Sequence, residues 1–248
     1  MKKLIVILVV VLIASGAFAI QKKVVLKCDA DSYVSLMNPE VNYGSARDVL
    51  AQVLFHYDGT SILNKEIKIG FLHYVIPPGI VGKVRVLNSN YNFFLLDYRG
   101  SSPFPAEDAK YTLGFYPCLS GWDENTIVYT GHPNASGPAF YSFSSTKNTF
   151  GHYGWVNIAM DSAGVSKIQE YIDTGIFYGL ALYVDVNSVT GVEPLLVGDY
   201  VHEMRIASRE SGKLTSYIRL DVDVPTGTLI NGCNVTPSSL GEVKASYR

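Results

Sequence analysis

Tyr217-Ile218-Arg219-Leu220-Asp221-Val222-Asp223-Val224 puts Ile218, Leu220, Val222 and Val224 on one side of an extended chain and Arg219, Asp221 and Asp223 on the other. Successive side chains of a strand point to opposite faces, so this period of two predicts a strand with one buried and one wet face. The rhythm recurs upstream. Glu66 to His73 sets Ile67, Ile69, Phe71 and His73 against Glu66, Lys68 and Gly70, and Trp155 to Met160 groups Val156, Ile158 and Met160. Further strands are predicted over 24–27, 49–55, 84–87, 91–98, 111–116, 139–143, 178–184 and 202–207.

Turn-forming residues separate these runs: Asn38-Pro39, Pro77-Pro78-Gly79, Asn88-Ser89-Asn90, Ser101-Ser102-Pro103 and Asn187-Ser188. Helices do not alternate with strands, which excludes a parallel α/β sheet. One helix is predicted after Asp161 or Ser162, with Val165, Ile168 and Ile172 on one side and Gly175 at its end. The fold class is therefore all-β, an antiparallel sandwich with one short helix.

The N-terminus reads as an export signal. Lys2 and Lys3 precede an unbroken apolar run, Leu4 to Ile13, and Ala17-Phe18-Ala19 supplies the small residues of a cleavage site. The run is shorter than the ~20 residues of a membrane-spanning helix. Cleavage after Ala19 would leave 229 of the 248 residues and move the net charge from −2 to −4. The expected divisions are a signal peptide over 1–19, a β domain over 20–224 and a polar tail over 225–248. The expected location is secreted or at the cell surface, with no membrane span after cleavage.

Lysines and arginines are scattered without a basic stripe, which argues against a nucleic-acid partner. The three cysteines, Cys28, Cys118 and Cys233, are too few to hold the domain together, and an odd number leaves at least one thiol unpaired or bonded to another chain. A core must do that work, and 48% hydrophobic and 12% aromatic residues supply it.

Six local motifs follow one another in an order that resembles the DNRLRE domain, also described as carbohydrate-binding module family 96 or disaggregatase-related. They are Asp31-Ser32-Tyr33-Val34 with Asn38-Pro39 and Asn42-Tyr43-Gly44-Ser45; Ile69 and Phe71 leading to Ile76-Pro77-Pro78-Gly79; Trp122-Asp123-Glu124-Asn125-Thr126-Ile127-Val128-Tyr129; Gly154-Trp155-Val156 with Ile158; Tyr178-Gly179-Leu180-Ala181-Leu182; and Ser208-Arg209-Glu210 before the last strand. Together they span about residues 29 to 224. Departures fall on polar positions: Gly70 and Leu72 replace the Arg and Asp of the family's second block, Ala159 stands where Asp is usual, and Val186 to Tyr200 reads as an insertion. The resemblance implies a jelly-roll-like sandwich that binds polysaccharide without reacting with it.

The residues themselves offer little chemistry. No Gly-x-Ser-x-Gly elbow or His-Glu-x-x-His motif occurs. Asp123 and Glu124 are sequence neighbours and would point apart on a strand, so Glu124 is read as an acceptor for loop backbone. The chain is read as a non-enzyme. Asp29 and Asp31, taken to share a strand face, are candidates for a structural calcium site, with turn capping as the plainer role. Sugar recognition uses exposed aromatic faces with a few hydrogen-bonding groups. The candidates are Tyr57, Tyr98 with Arg99, His152 with Tyr153, and Arg209, whose alternative role is to pin a loop to the sheet. Trp122 and Trp155 are read as core. The competing expectation is a structural surface or filament subunit that self-associates through an exposed strand, its tail or an unpaired cysteine.

Overall fold

The computed structural model describes residues 20–101, 110–146, 154–184, 196–212, 214–225, 228, 230 and 236–237. The predicted signal peptide, His152, Tyr153 and Cys233 lie outside them. The strands are β1 (Ile20–Ser35), β2 (Asp48–Tyr57), β3 (Ile62–Tyr74), β4 (Arg85–Ser101), β5 (Lys110–Pro117), β6 (Tyr141–Thr146), β7 (Gly154–Ala159), β8 (Leu180–Val184), β9 (Gly198–Ala207), β10 (Tyr217–Val224) and β11 (Thr236–Pro237). The single α-helix, α1, is Ser162–Thr174.

Hydrogen bonds join the strands in the order β11-β1-β10-β4-β9-β2-β3-β8-β5-β6, with β7 added to β4 and β1 also paired to β3. The path from β1 through β10, β4, β9, β2 and β3 thus returns to β1, and the antiparallel sheet folds over on itself as a sandwich. Long strands make this possible by changing partners along their length. β1 pairs residues 20–27 with β10, then residues 28–35 with β3 after a bulge between Cys28 and Ala30. β4 pairs residues 85–92 with β10 and residues 95–101 with β9.

The period of two in the sequence becomes the wall of the core. Ile218, Leu220, Val222 and Val224 of β10 face inward with Tyr91, Phe93 and Leu95 of β4 and Met204 and Ile206 of β9. Burying each such side chain contributes about 1.5–3 kcal/mol. Buried tyrosines keep their hydroxyls satisfied: Tyr74 bonds Tyr91 at 3.0 Å and Ser216 at 2.8 Å, and Tyr141 bonds Ser89 at 2.7 Å. From Ile69 to Leu72, β3 is buried on both faces. Leu72 and Tyr74 join the main core, while Ile69 and Phe71 pack with Val34, Cys118 and Ile127 in a second cluster. The sequence expected Gly70 on a wet face, but a Cβ there would meet Val49 at 2.6 Å.

Helix α1 begins and ends as the sequence requires. Asp161 accepts a bond from the Gly164 N–H at 2.8 Å, and Gly175, at φ +72°, closes the helix through its N–H to the Tyr171 carbonyl. Ile168 and Ile172 are buried, and Gln169 docks the helix on β4 by bonding Val84 O and Val86 N. A groove of about 1070 Å³ opens beside this contact, lined by Val84, Val86, Met160 and Val165 among others.

Two boundaries differ from expectation. The stretch read as an insertion already contributes strand at Gly198. The polar tail is partly held: Ile230 packs against the core, and Thr236–Pro237 pairs with Lys23 and Lys22 of β1. No described helix is long and apolar enough to cross a membrane.

Candidate functional site: a clasp and an aromatic outer face

Three of the quoted motifs meet at one place. Arg209, in a short 3-10 turn (Arg209–Ser211), donates from Nη2 to Glu124 Oε2 at 2.6 Å and to Glu210 Oε1 at 3.2 Å, and from Nη1 to the Asp29 carbonyl. Its backbone N–H donates to Asp31 Oδ2 at 2.6 Å, and the other Glu124 oxygen accepts the Asp31 N–H at 2.9 Å. Asn42 then ties the 39–47 loop in, donating to the carbonyls of Glu124 and Ile127 at 2.8 and 2.9 Å. Ser208 and Ser211 bond the carbonyls of Ala46 and Arg47. Gly44 is required here by close approach, since a Cβ would lie 2.1 Å from the Glu124 carbonyl oxygen.

Glu124 does accept a backbone N–H, as read, but from Asp31 of strand β1 and not from a loop, and residues 124–126 form a turn. Arg209 occupies the position of a loop pin. The placing of Asp29 and Asp31 on one face does not hold: the bulge after Cys28 breaks the alternation, so Asp31 is buried while Asp29 points out to His73 Nδ1 at 2.5 Å. Burial, reinforced by the charges of Glu210 and Glu124 and opposed by the Arg209 N–H, pushes the Asp31 carboxyl up to about 7.

Asp31, Glu124 and Glu210 bring carboxylate oxygens within 4.8 Å of one another. Calcium takes six to eight oxygen ligands. This set offers three carboxylates around a guanidinium that already supplies the positive charge. The residues do not fit a calcium ion, and the cluster serves as a clasp joining β1 to the loops.

The second arrangement lies on the outer face of the sheet. Partners in register share a face, so Phe94 lies beside Trp155, and Tyr217, Asn92 and Asn157 form the adjacent row. Trp155 was expected in the core, yet it is 42% exposed. Its neighbour Val156 faces the core instead, and the period of two sends the indole outward. The Trp155 ring meets Phe94 edge-on at 5.7 Å between centroids and Tyr217 at 5.8 Å. Asn157 Nδ2 donates to Asn92 Oδ1 at 2.7 Å. In the next two rows stand Arg219 beside Asn90 and Asp221 beside Asn88. Arg219 Nε and Asp221 Oδ1 are buried without a hydrogen-bond partner among the described residues. An orphaned polar atom costs about 1–3 kcal/mol, so its retention on an outer face calls for an explanation.

The same face continues past the β4 bulge between Leu95 and Asp97. There Glu203, 5% exposed, bonds Arg205 at 2.8 Å and sits 3.7 Å from Lys68, and Arg205 lies 3.5 Å from Asp48. Tyr33 and Tyr43 stack at 4.2 Å.

The other sequence candidates are dispersed. Tyr57 ends β2 and donates its hydroxyl to the Gly59 carbonyl at 2.9 Å. Tyr98 and Arg99 lie in β4 opposite Met204 and Glu203. Trp122 packs on Phe71 and donates its indole N–H to the Tyr178 carbonyl at 3.0 Å. The signal that finds the outer face is the position of polar residues in the Asn88-Ser89-Asn90-Tyr91-Asn92-Phe93-Phe94 run, read above partly as a turn. No protein-family model matches the chain, and no curated protein matches it.

Proposed function

We propose that this chain is an extracellular, non-catalytic carbohydrate-binding domain of the DNRLRE type, and that it holds polysaccharide on the outer face around Trp155. The observation that carries the reading is the exposed indole of Trp155, propped by Phe94 and Tyr217 and bordered by the exposed amide of Asn157, which donates to the buried Asn92. An aromatic ring covers the apolar face of a sugar at low entropic cost, and amides offer donors and acceptors to its hydroxyls. The family assignment is supported by the convergence of the Asp31, Asn42, Glu124 and Arg209 motifs on one clasp, which gives those scattered residues a common role.

Affinity electrophoresis of the mature domain through gels containing polysaccharide tests the proposal. Retarded migration that Trp155→Ala abolishes supports it, and free migration in every gel refutes it.

A second reading, a subunit that assembles through strand contacts, draws on β7. Among the described residues this strand pairs only with β4, and Gly154–Ala159 contains neither a charge nor a proline of the kind that guards sheet edges. Concentration-dependent polymers, indifferent to glycan, would favour it.

A further inference from the structure

We infer that residues 238–248, which lie outside the described residues, dock back into the groove between helix α1 and strand β4 of the same chain.

The groove holds about 1070 Å³ and runs from the start of β4 to the first turns of α1, with Val84, Val86, Met160 and Val165 as its apolar wall. Leu87, a large apolar side chain, stays exposed beside it. The helix reaches β4 here through the Gln169 side chain, which bonds the Val84 carbonyl and the Val86 N–H as a neighbouring strand would. Apolar side chains beyond that contact are left facing the groove, and such a surface is a seat for another apolar segment.

The path of the chain brings its own C-terminal segment to this seat. Pro225, on the rim of the groove, is where the chain leaves β10. The Thr228 N–H turns back to the Pro225 carbonyl at 3.1 Å, Ile230 packs against the main core, and Thr236–Pro237 joins β1. Pro237 then stands in one cross-strand row with Lys22, Val222 and Val86. Three strand spacings, about 14 Å, separate it from that wall of the groove. β11 is antiparallel to β1, so the chain leaves Pro237 heading for the end of the sheet where Ile20, Val224 and Arg85 lie. Arg85, Asp223 and Pro225 line the groove at that same end. The eleven residues of 238–248 can span about 36 Å when extended, more than twice the distance to cover.

Their sequence suits the seat. Ser238 and Ser239 give a polar spacer, and Leu240, Val243 and Tyr247 follow at i, i+3 and i+7, the spacing that gathers apolar side chains on one face of a helical segment. Glu242, Lys244 and Arg248 carry charges of both signs, as does the rim of the groove with Lys83, Arg85 and Asp223.

The short tether decides between the chain's own groove and that of a second copy. It holds the segment at an effective concentration on the order of a millimolar, so apolar contacts too weak to join two chains suffice within one.

The test uses the full mature chain with the photo-crosslinking residue p-benzoylphenylalanine in place of Tyr247. After irradiation in dilute solution, peptide mass spectrometry should place the crosslink within one chain, on residues 82–88 or 160–169. Trypsin supplies a second readout. Leu240→Ser with Val243→Ser, two changes outside the sandwich, should speed cleavage after Lys244 in the native protein about tenfold or more. Crosslinks that join two chains overturn the inference. So do crosslinks only to other parts of the same chain, the lack of any crosslink, or cleavage after Lys244 at equal rates in the two proteins.

Discussion

Arg209 and Glu124, 85 positions apart in the chain, meet at 2.6 Å, and the same glutamate accepts the backbone N–H of Asp31 through its other oxygen. One carboxylate therefore fastens the turn before β10 to the middle of β1. Glu124→Ala removes both bonds and leaves a half-exposed guanidinium and a part-buried N–H to find water. The expected loss is about 2–3 kcal/mol of unfolding free energy, read from urea denaturation. Arg209→Lys keeps the charge but not the planar fork, and should lose about 1 kcal/mol.

Gly44 abuts the same glutamate from its backbone side. Gly44→Ala would press a methyl group against the Glu124 carbonyl, and backbone cannot yield as a side chain can. The expected cost is about 3 kcal/mol. Gly131→Ala, where nothing lies within 4 Å of the added carbon, is the control and should stay within about 0.5 kcal/mol of the parent.

Two buried groups give stability an opposed dependence on pH. The Asp31 carboxyl is raised by burial to about 7, so the folded chain keeps a proton that the unfolded chain releases near its ordinary value of 3.8. Its contribution is complete below that ordinary value and is lost as pH rises through 7. His202 is lowered by burial to about 3 from 6.5, so its contribution is present above 6.5 and is lost as pH falls toward 3. Denaturation midpoints across pH should show that Asp31→Asn removes part of the decline between pH 4 and 8. His202→Met should remove part of the decline on the acid side. Difference curves of the opposite slope would contradict the burial of these side chains.

Cys28 and Cys118 are free and buried, and burial raises both thiols, Cys118 to about 12. Since the thiolate is the reactive form, neither should be alkylated by iodoacetamide in the native protein, and both should react after denaturation. Peptide mass spectrometry reads each site separately.

Much of this architecture was legible in local pattern. The alternation in 217–224 made the core wall of β10, and Asp161 with Gly175 bounded the helix. Glu124 and Arg209 could be given structural roles from their motifs alone. What pattern could not supply was the effect of a bulge: one extra residue near Cys28 separated Asp29 from Asp31 and undid their shared face. Nor could it weigh Trp155 correctly, because a large aromatic beside Val156 reads as core until registration with Phe94 shows which face it takes. Asn88, Asn90 and Asn92 read as turn chemistry, yet they line one face of the 17-residue strand β4. Long-range pairing overrode local propensity there.

The central claim, that glycan is held around Trp155, is tested most directly by the two indole N–H resonances in an NMR titration with a soluble neutral glycan. Trp155 should shift with increasing glycan, together with the exposed side-chain amide of Asn157, while Trp122, bonded to the Tyr178 carbonyl, stays still. Saturating glycan that leaves the Trp155 indole unmoved, or that moves only residues of the Arg209 clasp, would contradict the account.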